Sequence, residues 1–79
     1  MQTITRPTPH QLADAITDMV LLYAESNREL MSAREAALRA RGEAEAAAAA
    51  RIGRCRRAVD RRFRAIQRLT EALRQRADA

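Results

Sequence analysis

Two glycines and two prolines punctuate this chain of 79 residues, and their placing leaves little choice of fold. Both prolines, Pro7 and Pro9, stand near the N-terminal end, Gly42 lies almost midway between Pro9 and Arg76, and Gly53 follows. Ala, Arg, Glu, Gln, Leu and Met fill most other positions, and these residues lose little on entering a helix. No stretch alternates polar and apolar side chains as a strand does.

Thr8 suits an N-cap, and Pro9 then takes the first helical position, where its missing N–H costs nothing. Gln11 falls at the third, completing the capping-box pattern T-P-H-Q. Gly42 after Arg41 is the best stop signal, and Glu43 and Glu45 suit the first turn of a second helix. The sequence therefore predicts a loose lead-in at 1–7 and one domain at 8–79, with helices over about 9–41 and about 43–76. At the standard rise each arm is roughly 50 Å long. Arms of nearly equal length favour an all-α, two-helix antiparallel hairpin. A single long helix through Gly42 is the alternative, and Gly53 is a second candidate kink.

The apolar pattern supports two amphipathic helices. In the first, Leu12, Ile16, Met19, Tyr23 and Leu30 share a face that Ala33, Ala37 and Ala40 continue. In the second, Ile52, Val59, Ile66 and Leu73 recur every seven residues, with Cys55 beside them. Alanines on both sides of Gly42 let the arms approach closely there. Two helices bury one seam and leave the other side wet, so a homodimer forming a four-helix bundle or coiled-coil-like assembly is expected. The run MVLLY at 19–23 fits this, since Leu21 and Leu22 point away from the seam. Leu21, Leu22 and Tyr23 are the candidate apolar patch for a partner or a second copy.

Charge is unevenly distributed. The formal net charge is +5, yet residues 1–40 hold four arginines and five acids, while 41–79 hold eleven arginines and five acids. All fifteen basic side chains are arginine, a planar donor suited to carboxylate and phosphate. Eight of them fall between Arg51 and Arg68. Arg54, Arg57, Arg61, Arg64 and Arg68 recur at intervals of three and four, which puts them on one helix face over about 21 Å. Asp60 is placed to pair with Arg56, Arg57 or Arg64, and Glu71 with Arg68. On the first helix Asp14, Asp18, Glu25 and Glu29 cluster opposite the apolar face, as solubility residues or as partners for arginines of another subunit. Arg34 and Arg62 lie on the apolar faces and must meet an acid across the hairpin or reach water.

Catalytic chemistry has little footing. His10, the single histidine, sits at the predicted helix start, and the single cysteine, Cys55, excludes a disulfide within the chain. No CxxC, HExxH, GxSxG or glycine-rich phosphate loop occurs, so no enzyme activity, cofactor or metal is expected. The longest non-alanine apolar run is far shorter than a membrane span, and the N-terminus lacks a signal-peptide core, so a cytoplasmic protein without membrane contact is expected.

These features predict a small helical interaction module that binds a partner macromolecule and modulates or inhibits it, most simply by occlusion. A protein with an acidic surface is the leading partner. A nucleic-acid-binding regulator using the arginine stripe against phosphates is the alternative, and a structural or assembly adaptor is a third. Phe63 and Tyr23 are the only aromatic residues, so no base-stacking platform is evident. In size and composition the chain is similar to small regulatory proteins of bacteria and their temperate phages. In architecture alone it is similar to the plasmid-encoded RNA-binding hairpin dimers, which grip nucleic acid with helix faces.

Overall fold

The computed structural model describes residues 6–78, and most of the lead-in expected at 1–7 lies outside them. Two helices, α1 (Pro9–Arg39) and α2 (Glu43–Asp78), form an antiparallel hairpin. The all-α hairpin read from the sequence is the observed fold, and the single continuous helix is not. Its start is also as read. Thr8 Oγ1 accepts from the Gln11 backbone N–H at 3.1 Å, and Gln11 Oε1 accepts from the Thr8 N–H at 2.9 Å. Two donors at a helix start, which have no partner within the helix, are thereby satisfied.

The turn differs in detail from the expectation. Helix α1 ends two residues before Arg41, because Ala40 leaves helical geometry with φ −72° and ψ 140°. The Arg41 guanidinium then donates to the freed carbonyls of Leu38 and Ala40, at 3.2 and 2.8 Å. Gly42, at φ 63°, is the left-handed residue, and it immediately precedes α2. Its carbonyl accepts from the Glu45 N–H at 3.1 Å, opening the second helix. So Gly42 reverses the chain as the flank of α2, where it had been expected to close α1. Helix α2 runs unbroken through Gly53 and two residues past Arg76, since nothing in its sequence stops it.

The helices form a single layer, with extents of 56 × 27 × 15 Å. Such a layer can bury only the residues between its two helices. On α1 the less exposed positions step by four and three through Leu12, Ile16, Met19, Tyr23, Ser26, Leu30, Ala33 and Ala37, and Ala40, just past its end, continues the step. Ile52, Cys55, Val59, Arg62, Ile66, Leu69, Leu73 and Arg76 do the same on α2. This alternation keeps one stripe facing the partner helix over the whole length. Of these residues only Leu12, Ser26, Leu30 and Ala33 are buried, and no side chain of α2 is. Accessible area is 6449 Å², against about 4800 Å² for a compact monomer of 8.9 kDa. The hairpin therefore leaves far more surface wet than its mass requires.

Two contacts set the register. The Tyr23 and Phe63 rings lie 6.0 Å apart, tilted by 41°, midway along the hairpin. At the open end Arg76 donates from Nε, at 3.2 Å, and from Nη2 to the Pro7 carbonyl, tying the approach to α1 onto the end of α2.

Candidate functional site

Seam geometry decides where every other side chain points. A residue two positions after a seam residue is rotated by about 200° and faces directly outward. Arg54, Arg57, Arg61, Arg64 and Arg68 each follow a seam residue by two: Ile52, Cys55, Val59, Arg62 and Ile66. All five are exposed, and they form one row along the outer edge of α2. Arg61, Arg64 and Arg68 line a shallow hollow within it.

None of the five has a carboxylate within 4.0 Å among the described residues, where Arg74 pairs with Glu71 at 2.9 Å and His10 Nε2 lies 3.7 Å from an Asp14 carboxylate oxygen. Both neutralising contacts expected from the sequence are otherwise arranged. Arg64 Nε donates to the backbone carbonyl of Asp60 at 3.4 Å and leaves its carboxylate free. Glu71 pairs with Arg74, one turn along, and not with Arg68. The row keeps its charge, and its three- and four-residue neighbours repel one another by a few tenths of a kcal/mol per pair.

The opposite edge of the molecule mirrors this arrangement. Asp14, Asp18, Leu21, Glu25 and Arg28 follow the α1 seam residues Leu12, Ile16, Met19, Tyr23 and Ser26 by two. They too are exposed. Leu21 is 65% accessible, and it lines a hollow with Leu22, Asp18, Glu25 and Arg28. Tyr23 parts from its two neighbours in the candidate apolar patch, since its ring turns into the seam against Phe63.

A second apolar surface escaped the sequence reading. Val20, Met31 and Leu38 follow α1 seam residues by one, as Phe63 follows Arg62 on α2, and in antiparallel helices these flanks share one broad face. All four are exposed, Leu38 by 78%. Met31 and Leu38 also line an open hollow with Ile52. The signal was present in the spacing of Val20, Met31 and Leu38, which keeps one position behind the seam throughout.

Among the described residues, neither of the two arginines read onto the apolar faces meets an acid across the hairpin. Arg34 is exposed, and Arg62 is half-buried, with an Nε that is closed to solvent and has no hydrogen-bond partner. Cys55 is a free thiol, half-buried in the seam. Among the described residues no group of three His, Cys, Asp or Glu side chains is placed to hold a metal ion. No helix there is long and apolar enough to cross a membrane.

No protein-family model, curated protein or solved structure matches this chain.

Proposed function

We propose that this protein is a small helical interaction module whose α2 arginine row captures an acidic protein surface and modulates the partner by covering it. The observation that carries the reading is the row of five exposed arginines with no carboxylate within 4.0 Å among the described residues. Like charges at three- and four-residue spacing cost the helix stability, and an external acidic surface recovers it. Arginine offers that surface paired, directional hydrogen bonds. Pairing of two hairpins into a four-helix bundle is supported by Val20, Met31, Leu38 and Phe63, four exposed apolar side chains on one broad face.

Titration with poly-L-glutamate and with mixed-sequence duplex RNA and DNA, each at low and high salt, tests the reading. Wild type is expected to bind poly-L-glutamate at low salt. The triple variant Arg57→Glu, Arg61→Glu, Arg64→Glu is expected to lose that binding while keeping its helical circular dichroism. Unchanged binding by the triple variant sinks the proposal. Tighter binding to a duplex, with a salt slope equal to several phosphate contacts, replaces it with the nucleic-acid reading.

A further inference from the structure

The two outer edges of the hairpin match each other. Read from N to C, the α1 edge carries Asp14, Asp18, Leu21, Glu25 and Arg28, and the α2 edge carries Arg57, Arg61, Arg64, Arg68 and Glu71. Both step by four, three, four and three, and both span about 21 Å. With the two sets aligned, Asp14 meets Arg57, Asp18 meets Arg61, Glu25 meets Arg68 and Arg28 meets Glu71. Leu21 lies along the stem of Arg64. Where the α1 edge changes sign at Arg28, the α2 edge changes sign at Glu71. The hollow lined by Asp18, Leu21, Leu22 and Glu25 falls opposite the hollow lined by Arg61, Arg64 and Arg68. The like-charged pair in this frame, Glu35 with Asp78, falls at its far end. Sliding the edges antiparallel gives no frame as good, because matching Asp14 to Arg68 and Glu25 to Arg57 sets Arg28 against Arg54.

We infer that the acidic surface captured by the arginine row is the outer edge of α1 of a second copy of this chain, with α1 and the neighbour's α2 packed parallel. The inference rests on the capture role given to the row above. Within one hairpin α1 and α2 are antiparallel, so parallel packing turns each neighbour end over end. The edges lie on opposite sides of the molecule, so the contact is heterologous and every docked copy still offers one free α1 edge and one free α2 edge. Association through it therefore continues beyond the dimer. It weakens with salt, because all its ion pairs lie at the surface.

Two charge-reversed variants test this. One carries Asp14→Arg, Asp18→Arg and Glu25→Arg; the other carries Arg57→Glu, Arg61→Glu and Arg68→Glu. Sedimentation velocity over a wide concentration range, at low and high salt, reads the mass of each variant, of their mixture and of wild type. Circular dichroism confirms that each remains helical, and the neutral set Asp14→Asn, Asp18→Asn, Glu25→Gln stands in if a reversed variant unfolds.

Wild type is expected to show salt-labile growth beyond the dimer. Each reversed variant alone is expected to lose it by at least tenfold in association constant. The equimolar mixture is expected to regain it, because each edge of one variant then opposes an edge of the other sign. The neutral set is expected to associate weakly alone and, mixed with the arginine-to-glutamate variant, to stop at a one-to-one pair, in which its intact arginine row docks on the other's intact acidic α1 edge and the remaining edges do not match. Absence of salt-labile association in wild type, or failure of the mixture to regain it, overturns self-docking. Poly-L-glutamate binding retained in that case leaves the capture role of the row standing, and its loss removes both.

Discussion

Arg62 holds a seam position that an apolar residue would fill better, so Arg62→Leu is expected to stabilise the hairpin. Its Nε is closed to solvent and has no acceptor. Leaving a buried donor unsatisfied costs about 1–3 kcal/mol. Because Arg62 is only half-buried, the charged end stays hydrated and the penalty belongs to one N–H, toward the lower end of that range. The aliphatic stem of arginine already packs much as leucine would, so little is gained or lost there. The expected gain is therefore roughly 1–2 kcal/mol, from removing the orphan donor. In a domain of this size that raises Tm by about 5–15 °C. Urea unfolding followed by circular dichroism should move to a higher midpoint with an unchanged slope. Arg62→Met, which keeps an unbranched stem, should recover most of the gain. A midpoint at or below that of wild type in both variants would refute the reasoning.

The two glycines should respond to alanine with opposite signs. Gly42→Ala meets nothing within 4 Å, but it forces a side chain to φ 63°, at a cost of about 1–2 kcal/mol. Gly53→Ala lies inside α2, where its new Cβ meets only the flexible end of Arg57 at 3.4 Å, and it should gain about 1 kcal/mol. Thermal melts of both variants check the pair, and a shift of the same sign in each would contradict the assignment of the turn. Thr8→Ala removes one half of the capping box and should cost about 1 kcal/mol. Hydrogen exchange then accelerates in the first turn of α1, and uniform acceleration along the helix would count against a local cap.

Much of the fold was legible because it depends on local chemistry. Thr8, Pro9 and Gln11 specify a helix start through bonds within four residues, and the chain makes them as read. The four- and three-residue steps of both seams follow from helical geometry alone, as does the row formed by Arg54, Arg57, Arg61, Arg64 and Arg68. The turn was less legible: a glycine that can adopt positive φ serves equally well at the end of one helix or the approach to the next. Ala40 leaves helical geometry before Gly42 is reached, and the Arg41 side chain takes the carbonyls of Leu38 and Ala40. The partners of Asp60 and Glu71 were misplaced for a similar reason, since several arginines lie within reach of each on one helix face and sequence spacing does not rank them.

Other features belong to the tertiary structure. Sequence by itself determined that two long amphipathic helices form, where the first begins, and most of the residues that line each seam; Ser26, Leu69 and Arg76 joined them only in the structure. It did not determine that Arg62 would leave a donor unpaired, since that depends on what the facing helix presents at one level. Nor did it determine which residues share a broad face, because Phe63 joins Val20, Met31 and Leu38 only once the antiparallel register is fixed. The two charged edges lie on opposite sides of the hairpin, each two positions after a seam residue of its own helix. Helical periodicity placed each row on its own helix, but only the docking of α1 against α2 turned both outward, because a helix packed along one stripe leaves its opposite stripe facing water.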